Sequence, residues 1–241
     1  MASVAEDRWR ELGFDSLEEY QQFHGLVPDG RLDGPTVRSL EIPRFCGLPD
    51  HMELGEGLPR WGKKALSYGF TGTLPGIGMD DMKRAFQIAW DRWAAVCDIK
   101  ASYVKSPTDV ADVVMATGRI DGASSTLAWS ELPGNGTTRQ LQQKYDDQEA
   151  WVIADSVPNY RIDLIRVACH EIGHVIGIPH IGPGNLLAPT YSTSINKPQS
   201  GDMAEALKRY GPPVTTPTTP TDPTGNEYLL IKIPKSWVVA Q

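Results

Sequence analysis

The residues with the clearest capacity for chemistry lie close together in the second half of the chain, at His170, Glu171, His174 and His180. Residues four positions apart share one face of a helix, so the imidazoles of His170 and His174 can bind the same ion. Neutral imidazole is a frequent ligand of zinc. Glu171 can lie beside such an ion and accept a proton from water. The pattern therefore predicts metal-assisted hydrolysis.

Gly177 lies between the paired histidines and His180, where the predicted helix should end. Glycine readily adopts the left-handed backbone conformation that ends a helix and turns the chain. Such a turn would bring His180 back as a third ligand. Three protein ligands leave a fourth position open on a catalytic zinc ion, which lowers the pKa of water there and polarises a carbonyl group.

The composition restricts the partners that the chain can have. The formal net charge is −7, whereas binding to nucleic acids or anionic membranes requires clustered Lys and Arg. The N-terminal residues lack the apolar core of a secretory signal, and no apolar run is long enough to span a bilayer. We therefore expect a soluble monomer with neither nucleic acid nor membrane as a partner, whose export route the sequence does not show.

The three cysteines are Cys46, Cys97 and Cys169. An odd number at such wide spacing is a poor disulfide framework. Cys169 lies within the predicted helix and is expected to be buried as a small apolar residue. Cys46 lies in a loop of Gly, Pro and Asp, where an unpaired thiol needs another explanation.

The elements that must position these residues begin with a small helical unit over residues 5–42. Ser16, with Glu19 three residues later, has the pattern of a capping box, and Asp33-Gly34-Pro35 opens another helix with Pro near its first turn. Residues 43–60 are rich in Pro and Gly and form a linker that contains Cys46.

The region over residues 61–212 mixes amphipathic helices with short β-like runs. Helices are predicted from Asp80, over 164–176 and over 203–210, and strands over 65–70, 99–104, 111–116, 125–129 and 150–153. A Pro/Thr spacer follows at 213–225 and cannot pack. The last segment, 226–241, has β character but is too short to fold alone.

Two segments of the sequence resemble motifs of a known protein family most closely. Residues 170–180, HEIGHVIGIPH, resemble the zinc signature of the metzincin clan, and residues 43–50, PRFCGLPD, resemble the cysteine-switch motif of the matrixins, the matrix-metalloproteinase family. Further similarity lies in the matrixin edge strand (TLAWSELPGNG), the acidic segment after it (KYDDQEAW), the turn below the zinc (NLLAPTY) and the last helix (RYGP). The N-terminal unit is similar to the peptidoglycan-binding-like fold used as a matrixin propeptide.

The resemblance implies an α+β fold in which a small helical prodomain precedes a metzincin-type catalytic domain. That domain should hold a twisted, mostly parallel sheet with an antiparallel edge strand, an active-site helix and a C-terminal helix. The resemblance makes His170, His174 and His180 the zinc ligands and Glu171 the general base. It makes Cys46 a latch that fills the open zinc position as a thiolate.

The resemblance also implies a substrate pocket and a second metal site. The pocket residues would be Leu127, Ala128, Leu187, Pro189 and Tyr191. Oxygen ligands for calcium would come from Asp121, Asp146 and Glu149. The alternative for these three carboxylates is a solvated acidic loop without a cation.

Two departures from the family pattern concern the latch and the floor of the site. Phe45 separates Arg44 from Cys46, where the family motif has Arg and Cys adjacent. This insertion leaves open whether Arg44 pairs with Asp50. Leu187 stands where the methionine turn of the clan carries Met, and a swap between apolar residues of similar volume usually costs little.

A third departure concerns the structural zinc of animal matrixins. Trp129 and Lys144 stand where its histidine ligands are expected, and the loop around Gly118 and Arg119 is shortened. A charged Lys has no lone pair to offer a metal. The sequence therefore predicts one zinc ion rather than two.

The primary hypothesis is a zinc-dependent endopeptidase that is made as a cysteine-latched zymogen, acts on protein or peptide substrates and is extracellular or virion-associated. Two other hypotheses remain open at this point. The N-terminal unit could bind cell-wall glycan with the remainder as a tether. The chain could instead be a virion-type component that attaches through the C-terminal tail.

Overall fold

The computed structural model describes residues 2–54, 56–108, 110–153 and 161–214. In these residues the helices are α1 (Ala2–Glu11), α2 (Leu17–Phe23), α3 (Gly34–Glu41), α4 (Met79–Ala94), α5 (Leu164–Val175) and α6 (Ser200–Tyr210). The strands are β1 (Arg60–Trp61), β2 (Ala65–Phe70), β3 (Lys100–Tyr103), β4 (Val113–Thr117), β5 (Ala128–Ser130), β6 (Asn135–Thr137), β7 (Leu141–Tyr145), β8 (Trp151–Val152) and β9 (Ile162–Asp163). The predicted tail over 226–241 and most of the spacer over 213–225 lie outside the described residues.

The main sheet has five strands in the order β3-β2-β4-β7-β5. The pairs β2–β3, β2–β4 and β4–β7 are parallel, and β5 runs antiparallel to β7 at one edge. This arrangement confirms the predicted α+β fold with a mostly parallel sheet and an antiparallel edge strand. An edge strand leaves one row of backbone N–H and C=O groups available for another chain.

Helices α4 and α5 pack against each other and join the sheet in one apolar core. Trp93 of α4 is fully buried, and its indole N–H donates to the carbonyl oxygen of Cys169 on α5 at 2.8 Å. Gly173 of α5 allows a close approach, because a Cβ there would lie 2.6 Å from Leu187 and 2.8 Å from Trp93. Leu187 thus packs directly beneath α5.

The last helix supports the turn that follows α5. The buried guanidinium of Arg209 donates through Nε to the carbonyl oxygens of Gly177 at 2.8 Å and Pro59 at 3.0 Å. The Tyr210 hydroxyl donates to the carbonyl oxygen of Ile176 at 2.9 Å. The bonds to Ile176 and Gly177 satisfy carbonyl groups that the end of α5 leaves without partners.

The N-terminal helices form a second, smaller apolar cluster around Trp9, Leu12, Phe14, Leu17, Tyr20 and Leu40. The predicted cap at Ser16 is confirmed, and Asp33 caps α3. Ser16 accepts from the N–H of Glu19 at 3.1 Å, and Asp33 accepts from the N–H of Thr36 at 2.9 Å. Helix α1, which the sequence patterns did not predict, joins this cluster through Trp9.

Several predicted boundaries in the larger region need correction. Helix α4 begins at Met79 with Gly78 as the N-cap, so Asp80 lies in the first turn and is not the cap. Strand β5 begins at Ala128, because the N–H groups of Ser125 and Thr126 donate to carboxylates of a loop and that of Leu127 donates to the carbonyl oxygen of Phe45. Strand β7 was not predicted, since Gln142, Gln143 and Lys144 obscure its β character. In the described ranges, no helix is both long enough and apolar enough to cross a membrane.

Candidate metal centre and cleft

Helix α5 places two imidazoles on the same side of the core. Asp163 caps the helix by accepting from the N–H of Ile165 at 3.0 Å. His170 and His174 follow one turn apart, and their Nε2 atoms lie 3.0 Å from each other. The apolar residues on the remaining faces of α5 fix its rotation, and this directs both rings to one point.

Gly177 ends the helical stretch as the sequence predicts. Its φ angle is +95°, and a Cβ at this position would lie 2.1 Å from the carbonyl oxygen of Pro59. No other residue type fits this conformation and this contact together. The turn returns the chain to the metal site, where His180 is 6% exposed and its ring lies 4.7 Å from that of His174.

The thiol of Cys46 completes a group of four donor side chains. One donor atom from each of Cys46, His170, His174 and His180 lies within 4.8 Å of the others. The Cys46 sulfur is 3.5 Å from Nε2 of His174. Among the residues that the structure describes, no other group of three or more His, Cys, Asp or Glu side chains brings its donor atoms this close together.

The hydrogen bonds of the three rings fit a metal site. Each Nδ1 lies 2.8 Å from a backbone carbonyl oxygen: that of Leu186 for His170, Ile178 for His174 and Pro49 for His180. Since a carbonyl oxygen can only accept, each Nδ1 carries the hydrogen and each Nε2 keeps a lone pair. The Nε2 atom of His180 is buried without a hydrogen-bond partner.

The charge state of the rings is also that of metal ligands. Burial lowers the pKa of His170 to about 3 and that of His180 to about 4, and it holds the pKa of His174 well below its ordinary value. Neighbouring imidazoles depress the pKa of His170 and His174 as well. With both rings neutral and both Nδ1 atoms protonated, the two Nε2 lone pairs that lie 3.0 Å apart repel each other. A cation at this point removes the repulsion, so the residues fit a divalent metal with a preference for nitrogen and sulfur, such as zinc.

Glu171 lies beside these donors and is 1% exposed. Its Oε2 atom accepts a hydrogen bond of 2.6 Å from the hydroxyl of Ser130 on β5. Burial raises the pKa of Glu171 to about 7, although hydrogen bonds from Ser130 and Cys46 act in the opposite direction. A carboxyl group with this pKa can exchange protons with water near neutral pH.

A cleft opens next to the metal ligands and is lined by apolar side chains together with His170 and Glu171. Of the predicted pocket residues, Leu127, Pro189 and Tyr191 line it. The structure places Ala128 and Leu187 elsewhere. Ala128 pairs with Cys46 through the backbone, and Leu187 lies beneath α5.

The segment around Cys46 pairs through its backbone with the edge strand β5 and with Leu127 directly before it. The carbonyl oxygen of Phe45 accepts from the N–H of Leu127 at 2.8 Å, and the N–H of Gly47 donates to the carbonyl oxygen of Ala128 at 2.9 Å. Cys46 and Ala128 thereby form a parallel bridge. Burial, together with the negative charge of Glu171, raises the pKa of the Cys46 thiol well above its usual value when no cation is present.

Arg44 and Asp50 pair in spite of the inserted Phe45, which answers the question that the sequence left open. The Nη2 atom of Arg44 lies 2.8 Å from Oδ2 of Asp50, and its Nε atom lies 3.0 Å from the same oxygen. The Nε2 atom of His24 lies 3.0 Å from that oxygen as well. Asp50 is 1% exposed, so this is a buried clasp between helix α2 and the two ends of the loop that holds Cys46.

The three carboxylates predicted for calcium act as hydrogen-bond acceptors in the loop before β5. Asp146 accepts from the N–H groups of Ile120, Asp121 and Gly122 at 2.9–3.0 Å. Glu149 accepts from Ser124 at 2.6 Å, and Asp121 accepts from Thr126 at 3.1 Å. Their oxygens do not form a convergent donor group in the described residues.

Trp129 and Lys144, which replace the expected ligands of a structural zinc, face each other across β5 and β7. The ammonium group of Lys144 donates to the carbonyl oxygen of Arg119 at 2.9 Å. Lys144 therefore bridges the shortened loop to the sheet as a hydrogen-bond donor.

Sequence reasoning missed Ser130, Gln143 and the contact of Phe45 with the cleft. A signal was present for the first two. Alternation along β5 and β7 turns Ser130 and Gln143 to the buried side, between apolar neighbours. A polar residue at such a position needs a buried partner, which points to a hydrogen-bond network. Phe45 gave no comparable signal, because an insertion in a loop has no periodicity.

Comparison with known proteins gives consistent matches. Residues 60–211 match a family model described as Matrixin. The chain is 30% identical to the interstitial collagenase of Sus scrofa over 221 residues, which cover 87% of this chain and 45% of the relative. It is 31% identical to the macrophage metalloelastase of Rattus norvegicus over 229 residues, which cover 89% and 48%. It is 30% identical to matrix metalloproteinase-20 of Homo sapiens over 186 residues, which cover 73% and 37%. The chain thus spans less than half the length of these relatives.

Proposed function

The chain belongs to the matrixin family, and from this we propose that it is a zinc-dependent endopeptidase held latent by its own N-terminal segment. The observation that carries the proposal is the convergence of three neutral imidazoles, each with a free Nε2 lone pair, beside the buried carboxyl group of Glu171. His170, His174 and His180 would hold the zinc ion.

Zinc held there would supply a Lewis acid that polarises a scissile carbonyl group and acidifies water. Glu171 lies beside the ligands, where its carboxylate would accept a proton from water and return it to the leaving amine. The backbone carbonyls of Leu186, Ile178 and Pro49 keep the rings in the tautomer that binds metal.

The edge strand β5 would bind an extended protein or peptide substrate by main-chain hydrogen bonds. Support comes from Leu127 and Ala128, whose N–H and C=O groups already bond to the segment around Cys46. The adjacent cleft, walled by Leu127, Pro189 and Tyr191, would receive a substrate side chain. Ala128 pairs with Cys46 through its backbone and Leu187 lies beneath α5, so their part in a substrate pocket stays a prediction.

Latency would follow from the same contacts. The Cys46 sulfur lies near the three imidazoles, where as a thiolate it would fill the coordination position that catalysis requires to be open. Phe45 lies over the cleft, and the Arg44–Asp50 pair clasps the loop. The N-terminal unit ends directly at this loop, which supports a propeptide over residues 5–42 rather than a separate glycan-binding module.

The remaining assignments stay predictions from the sequence. We expect one zinc ion and an extracellular or virion-associated site of action, with attachment through the N-terminal unit or the tail as an open prediction. Calcium binding by Asp121, Asp146 and Glu149 also stays a prediction. The catalytic domain over 61–212 is proposed from the sequence, and the family match over 60–211 supports it.

The test is a casein or gelatin digestion with and without chelator, before and after modification of the thiols. We expect cleavage that depends on zinc and increases when Cys46 is modified. Glu171→Ala should retain zinc and lose cleavage, whereas Glu41→Ala, a change at an exposed glutamate of α3, should leave it unchanged. Cleavage by Glu171→Ala at the wild-type rate would exclude the mechanism.

A further inference from the structure

Three hydrogen bonds connect the sheet to Glu171 in a continuous chain. The hydroxyl of Tyr145 donates to Oε1 of Gln143 at 3.3 Å, and Nε2 of Gln143 donates to the hydroxyl oxygen of Ser130 at 2.9 Å. The Ser130 hydroxyl then donates to Oε2 of Glu171 at 2.6 Å. All four side chains are at most 1% exposed, so water does not compete for these groups.

The direction of donation is the same along the whole chain. Gln143 turns its carbonyl oxygen to the Tyr145 hydroxyl, which leaves its NH₂ group for Ser130. A serine oxygen that accepts from an NH₂ group must send its own proton elsewhere. That proton points to the carboxylate, so the bond between Ser130 and Glu171 has one orientation.

Backbone pairing of β5 with β7 places the side chains of this hydrogen-bond chain next to one another. Ser130 and Gln143 are directly opposite each other in the antiparallel register of β5 and β7. Tyr145 lies two residues beyond Gln143 and therefore on the same face of the sheet. Helix α5 packs against β5 and brings Glu171 to this face. The carboxylate is thus held by two strands as well as by its own helix.

We propose that Ser130, with Gln143 behind it, is a positioning residue that fixes the Glu171 carboxylate in the orientation needed for proton transfer at the cleft. The proposal rests on the proposed function, in which Glu171 carries the proton. A purely structural serine would contribute to folding stability alone. A positioning serine affects the turnover number while substrate binding at β5 and in the cleft stays the same.

The first test compares Ser130→Ala, Ser130→Thr and Ser67→Ala in the full chain, loaded with zinc and activated by thiol modification. Ser67 is a matched control, since its hydroxyl also donates to a carboxylate of the same sheet, Asp112 at 3.1 Å. We expect Ser130→Ala to lower kcat about tenfold, the scale of one hydrogen bond to a charged group, with KM within about twofold of wild type. Ser130→Thr, which keeps the hydroxyl, should recover most of the lost turnover.

The second test concerns the coupling between Ser130 and Gln143. Gln143→Leu removes the donor that orients the Ser130 hydroxyl, so it should lower kcat by a smaller factor than Ser130→Ala. In the double variant the loss should equal that of Ser130→Ala alone, because both changes act through one bond. If the losses of kcat in the two single variants multiply in the double variant, the proposal that Gln143 acts through Ser130 is overturned. If Ser130→Ala does not fold, Ser130→Thr and Gln143→Leu carry the comparison.

A crystal structure of zinc-loaded Ser130→Ala gives a result that is independent of turnover. We expect the Glu171 carboxylate to leave its wild-type position or to occupy more than one orientation. A carboxylate unmoved in the variant, or a kcat equal to that of wild type, would overturn the proposal. If the wild-type chain shows no peptidase activity but the carboxylate moves in the variant, the proposed function fails and the positioning role stands.

Discussion

The ring of Phe45 meets the ring of Tyr191 edge to face, with 5.9 Å between the centroids. Arg166 holds Tyr191 in turn, since its guanidinium lies 5.4 Å from the tyrosine ring. Phe45 lines the same cleft as Glu171. The loop that holds Cys46 therefore lines the cleft with two successive residues, Phe45 and Cys46.

Replacement of Phe45 by Ala should loosen the latch. Truncation of a half-buried aromatic side chain costs ~1–2 kcal/mol, less than the full cost in a core. We therefore expect Cys46 to react with iodoacetamide about tenfold faster than in wild type. Mass spectrometry of the labelled peptides separates Cys46 from Cys97 and Cys169.

Ile42 provides the control for this change. It is an apolar residue near the same loop, but it is 46% exposed and does not line the cleft. Ile42→Ala should leave the alkylation rate of Cys46 unchanged. Equal rates in wild type and Phe45→Ala would show that the aromatic contact does not contribute to latency.

The Arg44–Asp50 clasp should depend on pH with a definite sign. Burial alone raises the pKa of Asp50, but bonds and charges of His24 and Arg44 outweigh burial and lower it. A depressed carboxyl pKa stabilises the fold above the unfolded value, about 3.9, and this contribution is lost as pH falls through the lower folded value. Asp50→Asn, which leaves Arg44 without its counter-ion, should cost ~3 kcal/mol at pH 7.

The measurement is the free energy of unfolding in urea for wild type and Asp50→Asn at several pH values. The difference between the two proteins should be largest above pH ~5 and shrink below pH ~4. Comparison at each pH removes the effect of acid on the ionisable groups that do not contact Asp50, because both proteins share that effect. A difference that grows toward low pH would contradict the assignment.

Gly177→Ala should damage the metal site more than the fold. The added Cβ meets the carbonyl oxygen of Pro59 at 2.1 Å, so the turn that returns His180 must shift. Gly76 is a matched control, because its φ angle is +77° but no atom lies within 4 Å of a Cβ there. Gly76→Ala should cost only the ~1 kcal/mol of a strained backbone. Zinc titration should show weakened binding in Gly177→Ala and wild-type binding in Gly76→Ala.

His180→Ala should lose zinc while the described fold persists. Removal of a supporting residue around a metal ligand costs ~10–100-fold in affinity, and loss of the ligand itself should exceed this range. Competition with a fluorescent chelator measures the affinity. His51→Ala, a change at a histidine outside the metal group, should bind zinc normally. Unchanged affinity in His180→Ala would remove His180 from the ligand set.

The sequence alone was sufficient for the parts of the site that depend on short-range geometry. His170 and His174 share a helix face by spacing, and Gly177 with φ > 0 explains why His180 returns. Strand β7 was not foreseen, because Gln142, Gln143 and Lys144 make a buried strand look polar. Polar side chains at inward positions are stabilised by partners on other elements, and a sequence does not show which elements will meet.

The contacts of Phe45 and the Arg44–Asp50 pair also could not be predicted from the sequence. Each depends on the path of a loop that has no repeating pattern. The inserted residue is accommodated because the ring of Phe45 turns to Tyr191 while Arg44 still reaches Asp50. Only the three-dimensional course of the loop decides between this outcome and a broken ion pair.

The bonds from Arg209 to Gly177 and Pro59 also set an order of events during synthesis. A chain emerges from the ribosome N-terminal end first, so α5 and His180 appear before α6 does. Until Arg209 has emerged, the turn at Gly177 lacks the donor that ties it to Pro59. The donor that ties the turn before His180 to Pro59 is therefore synthesised only after Cys46 has already left the ribosome.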